Sequence, residues 1–203
     1  TAVLQSEKKR VGFKIDVPNV NEIYVAQMRR DLMGWPGFNE ENWSNAAQFC
    51  ADNKINLEEA LTWANRAIEE PFRGATVGRR DFTTLRAKAS VLQAMNRESE
   101  ADAVMQEDIH LPSTGPLQIN AYGSSLLAAG RKEKAMEVFQ FNRERYPDDK
   151  FATYVGMARG YTALGNKAKA IESWEFALQH VPENRKGSIP RIQDALKKLK
   201  STN

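Results

Sequence analysis

The stretch YTALGNKAKAIESWEFALQHVP, residues 161–182, belongs to a pattern that returns at a fixed interval, and that interval constrains the fold more than any other feature. Its markers are Tyr154, Met157, Ala158, Tyr161, Gly165, Ala170, Trp174, Ala177 and Pro182. The residues 35 positions earlier are Ile119, Tyr122, Gly123, Leu126, Gly130, Ala135, Phe139, Asn142 and Pro147. A further 34 positions earlier stand Leu85, Lys88, Ala89, Leu92, Asn96, Ala101, Met105, Asp108 and Ser113. With one extra residue in the turn, Trp43, Ala46, Ala47 and Cys50 followed by Ala60, Ala64 and Ala67 give a fourth, degenerate copy. A period near 34 residues with helical spacing inside each copy describes a stack of helix pairs, each too small to bury its apolar face alone.

Close packing explains the spacing. A small residue at the eighth position (Ala47, Ala89, Gly123, Ala158) lets the two helices of a pair approach, and Ala60, Ala101, Ala135 and Ala170 do the same from the second helix. Asn96, Gly130 and Gly165 fall where the first helix ends and a left-handed residue is needed. Pro147 and Pro182 stop the second helix. Lys88, Asp108 and Asn142 depart from the pattern and predict looser packing or altered interfaces.

The spacing predicts hairpins over 39–70, 82–110, 116–146 and 150–181, with Asn56 and Glu59 as a reciprocal N-cap and Asp81 capping the second pair. Residues 71–80 read as a polar connection. Residues 189–200 place Ile189, Ile192, Leu196 and Leu199 on one face, with Ser188 as cap; they are read as the polar-backed helix that closes a solenoid. The expected fold is therefore all-α, a right-handed superhelix of about four hairpins over 39–200. Ahead of it, 18–38 reads as a linking helix, with Ile23, Val25, Met28 and Leu32 at helix-like spacing, ending in a turn. Val11, Phe13, Ile15 and Val17 alternate as a strand, and TAVLQ reads as its partner. Two strands alone are marginal in water, so they either pack on the helices or, as favoured here, form the β remnant (1–17) of a preceding domain.

Composition narrows the function. A formal charge of +3 on 203 residues is too weak to argue for nucleic acid. A single cysteine, Cys50, excludes an internal disulfide framework. No apolar run approaches the roughly 18 residues of a spanning helix. The chain begins at Thr1 and reads as a mature form or an excised piece.

Residues 39–200 resemble tetratricopeptide repeats, most closely over 116–182. The text KRVGFKIDV … NWSNAAQFCADNKINLEEALTWANRAI … DFTTLRAKASVLQAMNRESEADAVM also resembles the C-terminal half of a bacterial family of unassigned function. In that family a β-rich domain precedes a helical-repeat tail. The resemblance implies export to the periplasm or cell envelope and supplies no catalytic residues. In tetratricopeptide solenoids the first helix of each pair lines a concave face through its second, fifth, ninth and twelfth positions. Transferred to this chain, those are Ser44 and Gln48; Thr83, Arg86, Ser90 and Gln93; Leu117, Asn120, Ser124 and Leu127; and Val155, Arg159 and Thr162. Amides and hydroxyls there suit an extended peptide backbone, and Arg86 and Arg159 suit carboxylates. The basic, Asn-rich clamp that holds chaperone C-termini is not present in step.

No constellation argues for chemistry. His110 and His180 stand 70 residues apart at helix ends. Cys50 falls at a packing position. Glu58-Glu59, Glu69-Glu70 and Asp148-Asp149 read as caps and solvated faces, and no phosphate-binding loop or nucleophile elbow occurs. Of the tryptophans, only Trp35 lacks a core assignment. The segments SEKKR and ALKKLK read as solvated faces. Asn120 lies where RNA-reading helical repeats contact a base, but the other hairpins do not carry that code in step. The expectation is a non-enzymatic interaction module with no cofactor and no metal, binding neither nucleic acid nor membrane. Its partner would be a protein or peptide, or its own N-terminal domain. The alternative is a brace for a preceding β-domain that carries the activity.

Overall fold

The computed structural model describes residues 2–13, 18–69, 71–72, 75–76 and 78–201. Ile15 and Val17, assigned above to a strand, lie outside them. The fold is all-α: ten α-helices among the described residues, with two short antiparallel ribbons. The chain forms two compact units, which divide between Val104 and Met105.

The first unit opens with β1 (Ala2–Ser6) paired to β2 (Lys9–Phe13). Helix α1 (Val20–Leu32) follows, then a 3₁₀ turn at Trp35–Phe38, α2 (Glu40–Asn53), α3 (Leu57–Ile68) and α4 (Phe82–Ala94). The 71–80 connection contains a ribbon that its polar composition did not suggest: β3 (Pro71–Phe72) pairs with β4 (Ala75–Thr76). Helix α5 (Glu98–His110) crosses the division between the units.

Packing in this unit follows chain order, with α2 against both α3 and α4, and α3 against α4. The small residues make this possible: Ala47, Cys50, Ala60, Ala64 and Ala67 have no exposed surface. Trp43 and Trp63 are buried in the same core, and the Trp43 indole N–H donates to the Gly37 carbonyl at 2.8 Å. Val25 and Leu32 of α1 join that core, whereas Ile23, on the opposite side of the helix, is exposed.

Local signals acted as expected at Asp81, which accepts from the Thr83 and Thr84 amides at 3.0 and 3.1 Å. Asn56 behaved differently. Its backbone is left-handed (φ 47°) and its side chain makes no cap bond. The Glu59 carboxylate instead takes both arms of the Arg29 guanidinium, at 2.7 and 2.6 Å, and ties α1 to α3. An arginine fork offers a charge-assisted pair that a single cap amide cannot match.

The second unit contains α6 (Pro116–Ala128), α7 (Lys132–Arg145), α8 (Ala152–Ala163), α9 (Lys167–Gln179), a 3₁₀ turn at Glu183–Ser188 and α10 (Ile189–Ser201). Here α6 packs on α7 and α8, α7 on α8, α8 on α9, and α9 on α10. Helix α6 thus meets both its own partner and the next first helix, a contact order compatible with stacked helical repeats. Ala135, Ala158 and Ala170 are fully buried. Gly130 and Gly165 carry φ of 77° and 76° at the turns, and Asn96 does the same at 60° in the first unit. Ile192 and Leu196 of α10 cover the end of the stack beside Trp174. Ser188 does not cap α10; its hydroxyl donates backwards to the Arg185 carbonyl at 2.7 Å.

Asp108 and Asn142, expected to mark loose packing, do the opposite: both are fully buried. Asp108 accepts from the Thr114 hydroxyl at 3.1 Å, and the Asn142 amide donates to the Pro116 carbonyl at 2.9 Å. These polar groups stand at small-residue positions because the loop before α6 brings buried backbone and hydroxyl groups that need partners.

Candidate functional site

The predicted face residues separate into those the packing consumes and those it leaves available. Asn120 is buried, and its amide donates to the Ala152 carbonyl at 3.0 Å, fixing α6 to the start of α8. Val155 lies in the core with Trp174 and Ile192. Ser44 is buried with its hydroxyl unpartnered. Ser90 is half-buried and Gln93 exposed; neither lines a described cleft.

The remainder gather in two places. In the first unit, Ser44, Asn45 and Gln48 of α2 face Phe82, Thr83, Arg86 and Ala87 of α4 across a cleft of about 210 Å³. Gln48 turns its amide to Asp52 at 2.7 Å. Arg86 is exposed and makes no hydrogen bond or ion pair with the described residues.

In the second unit, Leu127, Arg159 and Thr162 line a larger cleft of about 630 Å³ with Ala163 and Trp174. Its remaining wall is one side of α10: Arg191, Asp194, Ala195, Lys198 and Leu199. Arg159 donates to the Ser124 hydroxyl at 2.8 Å, and Ser124 in turn donates to the Asn120 carbonyl at 2.8 Å. Arg159 retains solvent-exposed surface, yet protein atoms crowd its guanidinium; that burial, and then the charge of Arg191, lower its pKa. The Trp174 side of the cleft includes an indole N–H that is buried without a partner.

Sequence reasoning missed the contribution of α10. Arg191 and Lys198 read as part of a solvated face, although their spacing of seven residues, with Asp194 and Ala195 between, places all four on one side of the helix.

The remaining candidates take structural places. His110 Nδ1 lies 2.6 Å from the Gln106 carbonyl with its ring against Phe141. His180 Nδ1 lies 2.8 Å from the Phe176 carbonyl and stacks on that ring. Among the described residues no three acidic, histidine or cysteine side chains converge in a metal-binding group. No described helix is long and apolar enough to cross a membrane. Trp35 is 87% exposed, in contrast to the buried Trp43, Trp63 and Trp174.

Comparison with family models, with curated proteins and with solved structures finds no match to this chain.

Proposed function

We propose that the chain is a non-enzymatic protein–protein interaction module. In this reading it is a tetratricopeptide-like right-handed stack of helical hairpins that docks a peptide or an adjoining domain against the first helices of its pairs. The observation that carries the reading is Arg86: a free guanidinium on the rim of a cleft also lined by Thr83, with its hydroxyl, and by Gln48, whose amide a ligand can take over from Asp52. Such a set suits an extended backbone with an acidic side chain, because hydroxyls and amides exchange bonds with main-chain groups while arginine takes a carboxylate. The repeat period and the neighbour-to-neighbour packing support the same reading.

The test uses the intact protein to capture partners from a lysate of its source, beside the double variant Arg86→Ala, Arg159→Ala. The expected result is a partner retained by the wild type and lost by the variant, with thermal stability little lowered. Equal capture by both proteins overturns the assignment of these faces.

A second reading, the brace for a preceding β-rich domain, is favoured by one observation. Ile23, Tyr24, Met33, Trp35 and Phe38 expose large apolar surface around α1 and the turn that follows it. Under that reading, substitution of Trp35 and Tyr24 separates the two domains, and the Arg86 variant does not.

A further inference from the structure

The 630 Å³ cleft of the second unit is lined by both apolar and cationic side chains. Ala163 and Trp174 supply apolar surface from α8 and α9. Arg159, Arg191 and Lys198 face it with Asp194 as the single carboxylate. Neither guanidinium is paired with a carboxylate among the described residues. Arg159 bonds a neutral hydroxyl, and Arg191 makes no hydrogen bond or ion pair with the described residues. Two guanidinium groups close enough for one to depress the pKa of the other, with no ion pair to either among the described residues, form an unfavourable arrangement that a bound anion relieves.

We propose that this cleft binds a small amphipathic carboxylic acid, its carboxylate held by Arg159 and Arg191 and its apolar body laid over Trp174 and Ala163. A monoanion is favoured over a phosphate or a polyanion, because Asp194 stands on the same rim and repels additional negative charge. The planar guanidinium fork matches a carboxylate in particular. The volume falls within the roughly 300–1,000 Å³ of small-molecule sites, and the mixture of apolar surface with a few convergent polar groups is typical of them. The cleft shares Leu127, Arg159 and Thr162 with the predicted peptide-binding face, whereas Arg191, Lys198 and Trp174 lie outside that face, so Arg191→Ala tests the acid site without touching the predicted peptide-binding residues.

Isothermal titration of the full chain tests this with decanoate, decanol and decyltrimethylammonium, each below its micellar concentration. Decanoate binds saturably with one site per chain, and the alcohol and the cation bind at least about tenfold more weakly. Arg191→Ala, at an exposed residue with no structural bond, weakens decanoate by a similar factor of about ten without altering the helical circular dichroism. Ala163→Leu, which fills the apolar side, weakens decanoate and decanol alike. The proposal is overturned if decanoate binds no more tightly than decanol, or if Arg191→Ala keeps full affinity. It is equally overturned if a short peptide ending in a free leucine carboxylate binds the cleft and decanoate does not.

Discussion

Phe139 occupies the space that a side chain at residue 123 would need: a Cβ built on Gly123 would lie 2.3 Å from the Phe139 ring. The ring cannot retreat, because a Cβ on Gly156, on the neighbouring helix, would also approach it to 2.7 Å. Phe139 is fully buried between α6 and α8 as a result. Two effects of Gly123→Ala oppose each other. Helix propensity favours alanine by about 1 kcal/mol. Overpacking a filled core costs roughly 1–3 kcal/mol, and the short distance makes it the larger effect. The expected outcome is a net loss of about 1–2 kcal/mol in urea unfolding. Phe139→Leu in the same chain recovers part of it, so the pair is non-additive in a double-mutant cycle. A stabilised Gly123→Ala protein would show that the helices are not held at this distance.

Arg145 secures the loop before α6. Its guanidinium donates to the Leu111 carbonyl at 2.7 Å and also to the Ile109 carbonyl. Tyr146 adds a hydroxyl bond to the Thr114 carbonyl beside them. Arg145→Met keeps much of the packing volume and leaves these carbonyls without their charged donor. Hydrogen bonds to charged groups contribute about 1.5–3 kcal/mol, so a loss toward the lower end is expected for this partly exposed side chain. Amide exchange should accelerate in the loop and the last turn of α5 and leave α9 unchanged. Uniform acceleration across the unit would argue against a local role.

Much of the fold was legible because its determinants are local or periodic. Asn96, Gly130 and Gly165 adopt positive φ because a helix that must reverse direction needs a residue that tolerates it, and sequence identity reveals that directly. Ala60, Ala135 and Ala170 are buried for a reason that repeats with the same period as the chain. Asp108 and Asn142 were misread because their partners, Thr114 and Pro116, become neighbours only after the helices dock. Asn56 was misread for a similar reason: Glu59 meets Arg29, 30 residues away in sequence, and that pairing is tertiary.

The candidate site was less legible than the fold. Helical spacing alone distributes Arg159, Leu127 and Thr162 along a face, but cannot say which of them a later helix will cover. The α10 side chains Arg191 and Lys198 acquire a role only from the side of the stack on which α10 lies. Nor does spacing reveal that the Asn120 amide is committed to the Ala152 carbonyl.

The tryptophans give a direct check of burial. Trp35 is 87% exposed and stacks only loosely on Phe38, with ring centres 5.7 Å apart. Trp35→Ala should change stability by less than about 0.5 kcal/mol. Trp63, 5% exposed in the core of the first unit, should cost roughly 3–5 kcal/mol when truncated to alanine. Acrylamide quenching measured on single-tryptophan variants should rank Trp35 far above the others. Comparable quenching of Trp35 and Trp63 would contradict the packing.

Cys50 has no exposed surface, and its thiol pKa is pushed up to about 11, first by burial and then by the Glu59 carboxylate, with Arg29 opposing. Because thiolate is the reactive form, roughly one molecule in a thousand is ionised at pH 8 with the pKa near 11, against about a tenth of a thiol at the unperturbed 9.0. Maleimide labelling of the native protein at pH 8 should therefore be at least about a hundredfold slower than in denaturant. The sign for stability follows from proton linkage. The native state holds its thiol proton more tightly than the unfolded chain, whose value lies near 9.0. Cys50 therefore supports folding fully below that pH, and its contribution is lost as pH rises from there toward 11. Cys50→Ala removes this alkaline component, so its unfolding free energy should fall less steeply over that window than that of the wild type. Glu59→Gln provides the electrostatic counterpart: it removes the smaller, charge-based part of the rise in the thiol pKa and releases Arg29, while burial remains, so labelling at pH 8 should accelerate modestly. Native-state labelling at the rate of a free thiol, with the helices intact, would show that the interface between α2 and α3 is not closed around Cys50.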